Sequence, residues 1–116
     1  MIRLCSVSEI PEGEGLRVPG PVPLAVFVVD GEAFVLDDAC SHQAASLSDG
    51  YLEGCWVECP LHEVAFSLRT GLPSGPPARK PVRTWPAVVA DGVVYADLDV
   101  VVEVTAAAPA VPAEVA

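Results

Sequence analysis

Dipeptides that end in glycine divide this chain at short intervals: 30-DG-31, 49-DG-50, 70-TG-71 and 91-DG-92. Each puts glycine where a tight turn calls for positive φ, and the stretches between them are short and valine-rich. Such spacing suits strands, because Val and its β-branched relatives pack well on a pleated surface while a helix needs a longer uninterrupted run. The predicted strands are Ile2 to Val7, Leu24 to Val29, Ala33 to Leu36, Trp56 to Glu58, Val64 to Leu68, Val82 to Val89, Val93 to Leu98 and Val100 to Val104. The runs flanking Asp30-Gly31 and Asp91-Gly92 read as hairpins. Helix signals are nearly absent, the one candidate being a single turn at 43-QAASL-47. The fold class is therefore all-β.

A chain of 116 residues is the size of one domain with one core. The segment 71-GLPSGPPARKP-81 is rich in proline and glycine and predicts an irregular loop on a fairly fixed path. From 105 to 116 the sequence TAAAPAVPAEVA reads as an extended, flexible Ala/Pro-rich tail, which leaves 1–104 as the folded domain. The longest clear apolar run, 24-LAVFVV-29, is far too short to cross a bilayer. No export signal is evident in MIRLCSVSEI, so a cytoplasmic location is expected.

The formal net charge of −10 argues against nucleic acid or an anionic membrane as partner. A protein with a basic surface suits it better, met in short-lived, salt-sensitive encounters. Four cysteines in a cytosolic chain point to metal binding or burial rather than disulfides. Cys5 and Cys55 read as buried free thiols.

Both histidines of the chain stand beside the other two cysteines, in 40-CSH-42 and 59-CPLH-62. The pattern is C-x-H, sixteen intervening residues, then C-x2-H. Thiolate and imidazole are the side chains best suited to zinc or iron. Structural zinc sites usually pair like ligands at spacings such as C-x2-4-C and H-x3-5-H, whereas here each arm carries one cysteine and one histidine. That distribution fits a two-metal cluster in which both cysteines hold one iron and both histidines the other.

At this point the chain resembles the Rieske [2Fe–2S] proteins, in which two histidines replace two cysteines on one iron. The resemblance runs through 40-CSHQAASLSDGYLEGCWVECPLHEVAFSLRTG-71 and on to 81-PVRTWPAVVADGVVYADL-98. It is strongest toward the small ferredoxin components of bacterial aromatic-ring-hydroxylating dioxygenases. The family implies antiparallel sheets, with a small cluster-binding subdomain at about 38–72 inserted in a larger β base. It further implies one [2Fe–2S] cluster, held by Cys40 and Cys59 on the buried iron and by His42 and His62 on the outer one. The histidine-bound iron would take up the electron.

Two departures bear on this resemblance. High-potential respiratory Rieske proteins carry a disulfide between the arms, where this chain has Ala45 and Leu61. They also carry a serine and a tyrosine whose hydroxyls donate to the cluster sulfurs, where this chain has Val64 and Phe66. Without those donors the potential is expected toward the lower end of a range of roughly −150 to +300 mV. Glu63 stands where the ferredoxin components commonly have glycine, and it bears on potential and partner choice.

The chain has no nucleotide-binding glycine fingerprint and no spare histidine for a mononuclear iron, so it is not an oxygenase by itself. The resemblance implies a one-electron carrier in aromatic hydrocarbon catabolism, working between a flavin-containing ferredoxin reductase and a terminal oxygenase by transient contacts. Gln43, Ala44, Leu61, Glu63, Pro76 and Pro77 would cap the cluster and meet the partners. The alternatives are the small Rieske-like subunit of an NADH-dependent nitrite reductase and a structural zinc protein. Trp56, Phe66 and Trp85 are expected to be packing residues.

Overall fold

The apolar run 24-LAVFVV-29 becomes a strand in the middle layer of a three-layered molecule, and its lack of polar alternation follows from burial on both faces. The computed structural model describes residues 1–20, 22–39, 45–60, 64–75 and 81–98. In chain order the strands are β1 (Ile2–Ser6), β2 (Leu16–Val18), β3 (Leu24–Val29), β4 (Glu32–Asp37), β5 (Tyr51–Glu53), β6 (Trp56–Glu58), β7 (Ala65–Ser67), β8 (Thr84–Trp85), β9 (Ala87–Ala90) and β10 (Val93–Ala96). They form three sheets, ordered β2-β3-β4-β8, β1-β10-β9 and β5-β6-β7, with every pairing antiparallel.

The β3–β4 hairpin divides its side chains by the two-residue period of a strand. Leu24, Val26, Ala33 and Val35 face the β1-β10-β9 sheet and pack with Cys5, Val94 and Ala96. Ala25, Phe27, Phe34 and Leu36 point the other way, onto Val57 and Phe66 of the third sheet and Leu68 just after it. Each fully buried side chain of this kind contributes roughly 1.5–3 kcal/mol of transfer free energy. The hairpin turns at Asp30 (φ 52°) and Gly31 (φ 81°), and the β9–β10 turn repeats that geometry at Asp91 (53°) and Gly92 (75°). Two successive positive φ values match the right-handed twist of the strands they join.

β4 pairs with β8 through Val35–Trp85 and Leu36–Thr84, although most of the chain's motif-bearing stretch lies between them. The segment leaves after Asp37 and returns at Arg83, whose carbonyl accepts the Asp37 N–H at 3.0 Å. Arg83 Nε and Trp85 Nε1 both donate to the Asp37 carboxylate (2.6 and 3.0 Å), and the guanidinium lies 5.2 Å from the Trp85 ring centre. The expected insertion of a smaller sheet into a larger β base is thus observed.

Several expectations need correction, the first being the single core, which the middle sheet divides into two clusters. The predicted strand Val82 to Val89 is two strands divided at Pro86, which has no N–H to continue the ladder. The helical turn predicted at 43–47 lies instead at Leu47–Asp49, because Ser46 is extended and bridges Ala39; Gln43 and Ala44 lie outside the described residues. Gly50 has φ −81°, so its glycine has a different cause, given below. Trp56 is exposed rather than packed, and Cys55 is only partly buried; Phe66 and Cys5 are buried as expected, and Trp85 is half-buried against the base core. Strands β2 and β5 had not been predicted. The predicted strand Val100 to Val104 and the tail at 105–116 lie outside the described residues.

Candidate metal centre

The third sheet exists to hold the mouths of loops. β6 and β7 form a hairpin whose register runs Trp56–Ser67, Val57–Phe66 and Glu58–Ala65. One step further the Cys59 N–H donates to the Val64 carbonyl at 2.8 Å, closing the mouth from which 60–63 issues. Cys59 is therefore fixed at a defined point, 1% exposed, among Val57, Val64, Phe66 and Leu47. These neighbours exclude water from the thiol and offer its sulfur no hydroxyl.

The first arm is closed in the same manner. Ala39 bridges Ser46, and the Leu47 N–H donates to the Asp38 carbonyl at 2.7 Å. The Asp38 side chain completes the clasp: one carboxylate oxygen accepts the Ser48 N–H at 2.9 Å, and the other meets Arg17 Nε at 3.3 Å. A carboxylate only 2% exposed is acceptable there because both oxygens have partners. Asp38 was not singled out from the sequence, although an acid directly after an apolar strand and two residues before Cys40 was a readable signal.

Gly50 brings the two mouths together. A Cβ at this position would overlap the Glu58 carbonyl oxygen and stand 3.0 Å from the Leu47 carbonyl oxygen. Only glycine lets the strand leaving the first arm lie against the residue that precedes Cys59. β5 then pairs with β6 through Tyr51–Glu58. The loop starting at Gly71 is tied to the same sheet: the Ala65 N–H donates to Ser74 Oγ at 3.0 Å and the Ser74 N–H to the Ala65 carbonyl at 2.7 Å. Gly71 (φ 78°) accepts the Val82 N–H at 2.9 Å, so this loop too is closed at its base. Its first residues are more regular than the predicted irregular loop, since Pro73 bridges Phe66.

Of the four predicted ligands, Cys59 is described; Cys40, His42 and His62 lie outside the described residues, as do Gln43, Ala44, Leu61, Glu63, Pro76 and Pro77. Among the described residues no three metal-ligating side chains gather. Cys55 sits at the far end of β6 from Cys59, about 13 Å away for four residues of extended chain, and its thiol lies beside Arg69. This separation keeps it out of a site built around Cys59.

A family model for the Rieske [2Fe-2S] domain matches residues 1–86. The chain belongs to the Rieske family. A 3-phenylpropionate/cinnamic acid dioxygenase ferredoxin subunit from Photorhabdus laumondii is 48% identical over 93 residues, which cover 79% of this chain and 89% of the relative. The Sphingomonas yanoikuyae B1 ferredoxin superposes with a TM-score of 0.76 at 41% identity, covering 83% of this chain and 96% of that one. A structure of reduced oxygenase with oxidized ferredoxin in carbazole 1,9a-dioxygenase gives a TM-score of 0.75 at 37% identity, covering 83% and 100%.

A Rieske domain holds one [2Fe–2S] cluster. The residues here fit that group. Cys59 is a free buried thiol at a closed mouth, its surroundings are apolar, and the other three expected donors, Cys40, His42 and His62, fall in sequence within the segments that the two mouths enclose. Val64 and Phe66 are 3% and 0% exposed, and neither side chain carries a hydroxyl. Among the described residues no helix is long and apolar enough to cross a membrane.

Proposed function

We propose that this chain is a soluble cytoplasmic one-electron carrier of an aromatic-ring-hydroxylating dioxygenase system, receiving electrons from a flavin reductase and delivering them to the terminal oxygenase. It is an electron-transfer component and not the oxygenase. The single observation that carries the reading is the paired mouths: Cys59 buried at one, the other drawn against it by Gly50, within a family whose matched members include a dioxygenase ferredoxin subunit and the ferredoxin of a carbazole dioxygenase complex. The same likeness favours this reading over a nitrite reductase subunit, and family membership displaces the structural zinc reading.

Cys40 and Cys59 would hold the cluster through thiolates and His42 and His62 through neutral imidazoles. When bound, the cluster accepts and returns one electron. The protein supports this in three ways. The Cys59–Val64 and Asp38–Leu47 hydrogen bonds fix where the arms begin. Val57, Val64 and Phe66 keep water from the Cys59 sulfur. Gln43, Ala44, Leu61, Glu63, Pro76 and Pro77, which belong to the segments issuing from the three closed loops, would frame the contact with each partner in turn. The domain is taken as 1–104, with its cluster-binding part at about 38–72 and a flexible tail at 105–116.

Purified protein is expected to be red-brown, with a low-g EPR signal on reduction. Cys59→Ser is expected to remove both while leaving the β signature in circular dichroism. An iron-free, EPR-silent wild type that folds normally would defeat the proposal.

A further inference from the structure

The outer face of β5-β6-β7 is built unlike the rest of the surface. Residues paired across antiparallel strands share a face, so Tyr51, Glu53, Trp56, Glu58, Ala65 and Ser67 all point outward while Leu52, Val57 and Phe66 point to the core. Tyr51 stands opposite Glu58 and Glu53 opposite Trp56, each pair about 5 Å apart at Cβ. The four side chains form a checkerboard, aromatics on one diagonal and carboxylates on the other. Tyr51 is 67% exposed and Trp56 42%, and with Leu52, Glu53, Glu58 and Ala65 they line a cleft of about 330 Å³. Neither glutamate forms an ion pair among the described residues.

We propose that this face is a docking surface that receives a lysine or arginine side chain from a redox-partner protein. Charge complementarity selects the occupant. A cation set between the four side chains meets two carboxylates and two aromatic side chains, and the cleft wall offers it no competing cation. Exposed Trp and Tyr are also the residues most often found at energetically dominant contacts. A second copy of this chain is a poor occupant: two molecules of charge −10 repel, and Arg17, Arg69 and Arg83 are already engaged with Asp38, Glu32 and Asp37. The face begins one residue from Cys59, so a protein seated there lies next to the metal centre and adds to the contact proposed for the loop residues. The inference rests on the carrier function proposed above.

The test uses cluster-loaded protein and the purified reductase and oxygenase of its own system. Glu53→Gln with Glu58→Gln, and separately Trp56→Ala, are compared with wild type by interferometry and by stopped-flow electron transfer. Cluster absorption checks that each variant is intact. The expected result is a Kd raised about tenfold for at least one component in both variants, the effect of the double glutamine variant shrinking as salt is added. A control, Glu12→Gln with Glu14→Gln, removes the same charge elsewhere and is expected to change Kd much less. Equal losses in control and test assign the effect to net charge and overturn the proposal. So does an unchanged Kd for both components, or a wild-type dimer that the variants dissociate. If the wild type carries no electron between the two components, the carrier function falls and the docking face with it; normal transfer with unaltered Kd removes the face alone.

Discussion

Gly50 shapes the site although it is no part of the Cys/His motif, because it has no side chain to place between Leu47 and Glu58. The obstacle to a larger residue is backbone oxygen on both sides, which cannot swing away as a side chain would. Gly50→Ala is therefore expected to lower stability by about 1–3 kcal/mol, read from urea unfolding, and to lower cluster occupancy, read as absorbance per protein. Cys5 offers a second residue-level test. Its thiol is pushed up from 9.0 chiefly by burial, then by the Glu9 carboxylate, with Arg3 acting in the opposite sense. Above 9.0 the unfolded chain gives up this proton while the folded chain keeps it, so stability falls as pH rises. The urea midpoint of Cys5→Ala is expected to decline less than that of wild type across this alkaline range.

Among the elements, the β3–β4 hairpin is the one whose failure would reach both cores. Its turn depends on successive positive φ values, which Gly31 adopts freely and a β-branched residue resists. Gly31→Val is expected to cost about 1–3 kcal/mol, measured by the melting temperature, with the spectrum of any bound cluster unchanged. This hairpin was legible in the sequence because two signals coincided, an unbroken apolar run and Asp-Gly. The Cys/His arms were legible because scarce residue types recurred at a family spacing. β2 and β5 were not. At three residues each, Leu-Arg-Val and Tyr-Leu-Glu show too little alternation to separate a strand from a loop, and pairing with a neighbour decides their conformation. The same applies to Trp56, whose exposure follows from register: it shares a face with Glu53 and Glu58 while Val57 takes the core. Asp38 was passed over and Gly50 was taken for a positive-φ turn because their roles lie in contacts with residues distant in the fold, which local patterns encode poorly.

For the whole molecule, charge is the governing quantity. Three of the arginines are tied to Asp38, Glu32 and Asp37, leaving most carboxylates to face an approaching partner unneutralised. The second-order rate of electron transfer to the oxygenase is expected to fall by about tenfold or more between low salt and 0.5 M, because long-range attraction is screened at that ionic strength. A rate independent of salt would mean that the partner surface is not basic. The topology adds something the charge does not. The segment bearing the arms leaves the base after Asp37 and re-enters at Arg83, and a backbone hydrogen bond of 3.0 Å together with the Arg83–Asp37 ion pair joins these two points. An insert whose ends nearly touch is a cassette: it can be exchanged for the corresponding segment of another Rieske protein without rethreading the base. Such an exchange would have to keep the insert residues that pack on Ala25, Phe27, Phe34 and Leu36, since base and insert share that core.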